Sequence, residues 1–499
     1  MPVAQKQAVG VHFIVSTDTN KADADTRKFI RSHVMLGKNL GKARPRKKKA
    51  KAKDANTGGV SSQTNREEEA PPEEQPQQPL PKPGTQSSGT SDESTCLPIP
   101  PRVGGEFCFT DFADTIRPGI LNDVIVFSTE SKKVLFPLEP CFSFEKHKSQ
   151  WWDALMQDPA YINTVAFMSH TYVNLIRGYP GRSLTNDSTI HLVKTVHLLR
   201  QRLTAGPGPL LYSDSTMYIV LMLATYAHMI GETQTARHHM LGLRKLILMR
   251  GGLRTFRNSK LILEVLRTDL GISLHNGLRP VFYLDTPFFE PLEPYPNNTQ
   301  FLVARGGPRH QPNDAEKFFK DIDPGLLQAW IFMKEFAALM NVTYGTENRL
   351  PQDTLLNTMT SIMYRLIDMH FSPNSMDETI RLGLLAFCSH VFLRWQTVRL
   401  GYTHLPYAYK SSLVNLNFSK DFSPQVMLWL LMVGAISIFE RDDDVWLKPW
   451  LKVNIDLCGV ESWGEMRGKL KELMWVELVQ DEAGEEAYNS CVGERIQII

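Results

Sequence analysis

The chain has 499 residues, 42% of them hydrophobic and 22% charged, which excludes a chain too polar to bury a core and suits one large domain with tails or two to three ordinary ones. Its formal net charge of +2 conceals segregation. Residues 1 to 53 hold fourteen Lys or Arg against Asp18, Asp23 and Asp25, a net of +11, which leaves −9 for the remainder.

An apolar burst at Val11 to Val15 is followed by a polar turn, and a short helix is expected from Asp25 or Thr26, with Ile30 and Val34 on one side and Arg27 and Arg31 on another. Glycines 37 and 41 end it. The basic tract follows as Lys42, Arg44, Arg46, Lys47, Lys48, Lys49, Lys51 and Lys53. Residues 54 to 100 are rich in Pro, Gln, Glu and Ser and contain no aromatic residue, so they read as a disordered linker. Residues 101 to 499 read as a helical domain. Its first stretch, through Pro140, suggests extended pieces or loops. Helical periodicity takes over from Phe142, with Asp158-Pro159 as a restart. The next segment, DSTIHLVKTVHLLRQRL, places Ile190, Val193, Val196 or His197, and Leu199 along one stripe. Residues 213 to 253 read as a helical hairpin broken by Gly231 and closed by Gly251-Gly252. Further helices are expected at about 258–274, 312–344, 351–371, 377–400, 424–440 and 462–480. The apolar run at 425–439 is too short to span a bilayer comfortably and reads as a core helix. The predicted fold class is mostly α, with no repeat of fixed period.

Cys96, Cys108, Cys141, Cys388, Cys458 and Cys491 lie far apart, so no C-x-x-C pair nucleates a zinc site, and the start of the chain carries no secretory signal. Free thiols in a reducing compartment are expected. His228, His238 and His239 suggest a metal cluster, but adjacent histidines on a helix diverge by about 100°, so His238 and His239 do not share one ion. Asp442 to Asp444 lacks calcium-loop spacing and reads as a solvated loop. Trp151-Trp152 and the Trp446/Trp450 pair read as core packing. No phosphate-binding glycine loop, nucleophile elbow or nucleophile–base pair is present, so no enzyme, metal or cofactor is assigned. The basic tract has no use in a hydrophobic core. It suits an import receptor as a nuclear localisation signal, or phosphates on DNA; a membrane surface ranks last without a lipidation motif.

The segment Ala227 to Leu253, followed by LRTDLGISLHNGLRPVF ending at Phe282, resembles the fungal-specific transcription factor domain of the second type. The matching positions are Gly231, Ala236, His239, Gly242 and Leu243 in the hairpin, the turn Arg250, Gly251, Gly252 and Leu253, then Asp269, and Pro280 with Phe282. The opening TRKFIRSHVM is similar to that of fungal proteins sometimes labelled tachykinin family, a label that implies no secreted peptide here. The resemblance covers about residues 140 to 480 and implies a large helical regulatory domain. Regulators of this type carry an N-terminal binuclear zinc cluster on six closely spaced cysteines, which this chain lacks. The resemblance therefore implies a nuclear transcription regulator or co-regulator that contacts DNA weakly and non-specifically. Its partners would be a homodimer mate or other transcription regulators. The alternative is a scaffold or effector-binding protein derived from such regulators that binds no DNA. Gly242, Gly251 and Gly252 are expected to serve packing and capping, with positive φ at Gly251 or Gly252.

Overall fold

Fifteen α-helices and one two-residue strand pair make up the computed structural model, which describes residues 111–143, 150–177, 185–206, 208–256, 259–285, 321–394, 403–416 and 423–493. The basic tract and the linker lie outside these residues, as do the short helix expected near Thr26 and the first part of the one expected at 312–344. The helices are α1 (Pro118–Leu135), α2 (Gln150–Gln157), α3 (Pro159–Ile176), α4 (Asn186–Thr204), α5 (Asp214–Met229), α6 (Thr233–Met249), α7 (Lys260–Asn276) and α8 (Pro324–Tyr344). They continue with α9 (Gln352–Asp368), α10 (Met376–Cys388), α11 (His404–Asn415), α12 (Pro424–Ser437), α13 (Asp444–Leu457), α14 (Trp463–Leu473) and α15 (Glu477–Gly493). Strands β1 (Phe142–Ser143) and β2 (Leu350–Pro351) pair in parallel, Phe142 opposite Leu350 and Ser143 opposite Pro351.

The packing is built from consecutive helices. α3 pairs with α4 and α5 with α6, and α3 also touches α5. α7 packs against α5 and α6 on one side and against α9 and α11 on the other. In the C-terminal half α12 packs on α10, α13, α14 and α15, and Leu428, Trp429, Leu430 and Leu431 are fully buried. The apolar run at 425–439 is thus a core helix, and among the described residues no helix is long and apolar enough to cross a membrane. Trp429 stacks edge-on against Trp330 with ring centroids 4.7 Å apart. At Gly383 α10 comes so close to α12 that an added Cβ would lie 2.5 Å from a methyl of Leu430.

Asp158 caps α3 as its sequence position indicates, accepting from the backbone N–H groups of Ala160 at 3.0 Å and Tyr161 at 3.2 Å. Four expectations give way. Residues 118–135, read as extended or loop, form α1: packing against α3 buries Ile120 and Asp123, and this tertiary contact outweighs the β-branched propensity of Val124 to Val126. Asp123 Oδ2 lies 2.6 Å from His170 Nδ1 on α3. The stripe assigned to α4 is rotated. Ile190 and Val193 are exposed, while Ser188, His191, Leu192, Thr195 and Leu199 face inward. That inner face is partly polar because α3 presents polar partners to it, with His191 Nδ1 2.7 Å from Asn163 Oδ1 and Thr164 donating to Thr195 at 3.3 Å. A count of apolar residues cannot find such a face.

The helix expected at 462–480 is two, broken at Met474 to Val476. Side chains satisfy the backbone there: Trp429 Nε1 donates to the Met474 carbonyl at 2.6 Å and Asn341 to that of Trp475 at 2.8 Å. The N–H groups of Val476 and Glu477 donate to Gln480 at 2.8 Å and Asn341 at 2.9 Å. The expected 377–400 helix ends early. α10 widens into a π-turn at Ser389–Leu393, and Arg394 takes φ 54°. Arg267, buried on α7, donates to the Phe392 and Leu393 carbonyls at 2.8 and 2.9 Å and so satisfies two acceptors at the left-handed exit.

Candidate functional site

The motif residues divide into a core stripe, two turns and a latch. On α6, Ala236 and Leu243 are completely buried and His239 is 8% exposed, one above another at helical spacing. His238, the next residue round, is exposed. Burial, with a smaller push from His238, pulls the His239 pKa down to about 4, so the ring is neutral at physiological pH. His228 on α5 is likewise held neutral by burial and by His275, its pKa near about 3, and its ring meets that of His275 edge-on at 4.7 Å. The three sequence histidines therefore do not converge, and among the described residues no group of three His, Cys, Asp or Glu is arranged to hold a metal.

Both turns close α-helices through the same pair of backbone bonds. At the end of α5, Gly231 N–H donates to the His228 carbonyl at 2.9 Å and Glu232 N–H to Ala227 at 2.8 Å, with Gly231 at φ 82°. At the end of α6, Gly251 donates to Leu248 at 3.0 Å and Gly252 to Ile247 at 2.9 Å. Gly251 sits at φ 114° and Gly252 at φ 82°, both beyond the comfortable range of an L-residue. Arg250 ties this turn to the start of α5 by pairing with Asp214, donating to the Tyr212 carbonyl at 3.1 Å and covering the Phe256 ring at 4.4 Å. Gly242 departs from its expected packing role. It faces outward from α6, and an added Cβ would meet no atom within 4 Å. Its place in the motif is therefore not explained by close approach.

Alanine at Gly251 is expected to lower stability by about 1–2 kcal/mol, from positive φ together with a contact 2.8 Å from Thr255 Cγ2. At Gly252 the φ cost alone applies, about 1 kcal/mol, and at Gly242 alanine should be neutral or stabilising by up to about 1 kcal/mol. Urea unfolding of the three variants checks this order. Lost activity in a fully stable Gly251→Ala chain would instead place a ligand contact at the turn.

The latch joins the last motif elements. Asp269 on α7 is 2% exposed, and its two carboxylate oxygens accept from the N–H groups of Val281 at 2.7 Å and Phe282 at 2.8 Å and from the hydroxyl of Tyr364 on α9 at 2.9 Å. The acidic residue and the Pro280-to-Phe282 element, twelve residues apart by sequence, are thus one structural unit. Pro280 and Phe282 are both buried. Burial raises the Asp269 pKa to about 6, against the pull of its three hydrogen-bond donors and of Arg237. Around it Arg244 grips Asp285 at 2.5 and 3.1 Å, and Arg237 donates to the Arg279 carbonyl at 2.9 Å. Arg279 covers the Tyr283 ring at 3.6 Å and lies 3.6 Å from Asp368. Every oxygen of the Asp269 carboxylate is engaged, so its chemistry is to fasten the 277–285 connection across α7 and α9.

The sequence indicated Asp269, Pro280 and Phe282 but not Tyr364, Arg244 or Asp285, which carry no local signal and meet the latch only through folding. Nor did it indicate the use of the aspartate run. Asp443 accepts from Lys410 and from Trp446 Nε1, each at 2.9 Å, and these bonds outweigh burial and hold its carboxyl below the usual range. Trp446 packs edge-on with Phe439 at 5.0 Å and with Trp450 at 6.2 Å, at the border of the core. Cys141, Cys388, Cys458 and Cys491 form no disulfide with one another, and all but Cys458 are buried. A small cavity lies beside Arg267, between Phe136, Leu263, Met359 and Phe392, with about 20 Å³ for a water-sized occupant. No family model matches the chain, and searches of curated proteins and of solved structures likewise return no match.

Proposed function

We propose that the chain is a nuclear transcription regulator or co-regulator of the fungal-specific transcription factor kind. Its helical body would contact partners or an effector, with homodimerisation or pairing with other regulators among those contacts. The basic arm would serve nuclear import and non-specific DNA contact. The observation that carries the reading is the charge segregation: +11 within residues 1 to 53, with eight Lys or Arg between Lys42 and Lys53, in a sequence no hydrophobic core can use. The gathering of Ala236, His239, Leu243, the Arg250–Leu253 turn and the Asp269–Phe282 latch into adjoining helices supports treating them as parts of one regulatory body. A second reading, a scaffold or effector-binding protein that never touches DNA, is favoured by the scattered cysteines, which cannot form the usual zinc cluster.

Replacing Arg46, Lys47, Lys48 and Lys49 with alanine is expected to shift a fluorescent fusion from nucleus to cytoplasm, leaving the melting temperature of the helical body unchanged. Undiminished nuclear accumulation of that variant would move the import signal elsewhere and remove the main support for the reading.

A further inference from the structure

The negative charge that balances the basic arm is concentrated at the other end of the chain. From Glu440 to Gly493 there are thirteen carboxylates against six Lys or Arg, a net of −7, out of the −9 carried by everything after residue 53. These residues build α13, α14 and α15, and α13 packs on α12 and α15. α13 buries Leu447, Leu451 and Ile455. Its opposite side is apolar as well. Val445 is 85% exposed, Val453 56% and Leu457 65%, and Pro449 between them is also exposed.

Single exposed apolar residues are ordinary on a protein surface. Here four fall at successive i, i+4 positions, which makes one continuous ridge about 18 Å long. Pro449 has no N–H to offer the Val445 carbonyl four residues before it, so the ridge also carries a backbone acceptor outside the helical ladder. The two lysines beside the ridge are neutralised on their own helix, Lys448 by Asp444 at 3.2 Å and Lys452 by Asp456 at 3.3 Å. Carboxylates that follow it, Glu461 before α14 and Glu465 in its first turn, are exposed, as are Glu485 and Glu486 on α15. An exposed apolar line on a segment of net charge −7 is complementary to a helix with an apolar stripe between rows of Lys or Arg.

We propose that the outer ridge of α13 docks a basic amphipathic helix of a partner protein. The partner's apolar stripe covers Val445, Pro449, Val453 and Leu457, crossing α13 as ridges into grooves, and its cations meet the surrounding carboxylates. This does not depend on DNA contact or on the regulatory reading.

The test uses the full chain and an 18-residue peptide of lysine and leucine, with leucines spaced to form one helical stripe. Fluorescence anisotropy should show binding at least tenfold tighter than to a scrambled peptide of equal composition, weakening as salt rises. Replacing lysines with glutamates in the peptide should abolish binding. Val453→Lys/Leu457→Lys should raise Kd at least tenfold with an unchanged urea midpoint, and Val445→Lys alone should raise it severalfold, so that one fully exposed position reports even if the pair perturbs folding. Equal binding of the scrambled or glutamate peptide, or full binding by both variants, would overturn the proposal. So would sedimentation showing a dimer that the Val453→Lys/Leu457→Lys chain cannot form, because the ridge would then belong to a second copy.

Discussion

Replacing Arg202 with alanine is expected to destabilise the chain by about 3–5 kcal/mol, a large part of the stability of an ordinary domain. Arg202 on α4 is 9% exposed and lies 2.6 Å from Asp158, itself 5% exposed. Its other nitrogen donates to Thr216 on α5 at 2.7 Å. Asp158 in turn caps α3 and accepts from Ser215 at 2.7 Å, so one carboxylate joins the starts of α3 and α5 to the end of α4. Burial pushes the Asp158 carboxyl up, but the Arg202 and Ser215 bonds and the guanidinium charge outweigh it and hold it below the usual range. Without Arg202 a buried carboxylate loses its counter-charge. The double variant Arg202→Ala/Asp158→Ala should cost clearly less than the two single losses added together. Arg117, 69% exposed and paired with Asp187 at 2.5 Å, is the contrast: its alanine variant should stay within about 0.5 kcal/mol of the parent. Urea titration checks both, and a loss under about 1 kcal/mol for Arg202→Ala would show that α3, α4 and α5 are not joined through this pair.

Acidification from pH 7 to pH 5 is expected to remove about 4–5 kcal/mol of stability. Burial holds three imidazoles neutral in the folded chain: His228 near about 3, His239 near about 4 and His390 near about 3. Once unfolded they bind protons from about pH 6.5 downward. The unfolded state then carries more protons, and each ring costs about 2 kcal/mol by pH 5. Asp269 works in the opposite direction. With its pKa raised to about 6, it takes up a proton in the folded chain while the unfolded carboxylate is still ionised, and it returns about 1 kcal/mol by pH 5. Asp158, held low, adds its own loss only below about pH 4. Urea midpoints at the two pH values measure the sum, and His390→Gln should flatten the dependence by roughly two fifths. A stability that is level between pH 7 and pH 5 would contradict the burial of these rings.

Much of the helical order was legible because its signals are local. Asp158-Pro159 starts α3, Gly231 separates α5 from α6, and Gly251-Gly252 ends α6, each through backbone geometry that a few residues determine. What escaped the sequence was set by distant partners. α1 carries a strand-like Val-Ile-Val-Phe run that only its packing on α3 makes helical. The inner face of α4 is polar because Asn163 and Thr164 wait across the interface. The break between α14 and α15 depends on Asn341, more than 130 residues earlier. At the motif site the pattern indicated Asp269 and Phe282, yet their bond, and the Tyr364 hydroxyl that completes it, exist only once α7 and α9 meet. The ridge on α13 escaped too, since no helix was expected at residues 444–457.

The most direct measurement of the regulatory reading is binding of the full chain to duplex DNA across a range of salt. An arm of flexible lysines and arginines meets phosphates but holds no fork against base edges. Engagement of roughly six phosphates gives a slope of log affinity against log salt near about −5. At physiological salt the affinity should be on the order of micromolar or weaker and nearly indifferent to sequence, and the chain with Arg46, Lys47, Lys48 and Lys49 replaced should show a shallower slope. Nanomolar binding that prefers one short sequence, or no binding even at low salt, would contradict it, the second outcome leaving the basic tract to nuclear import alone.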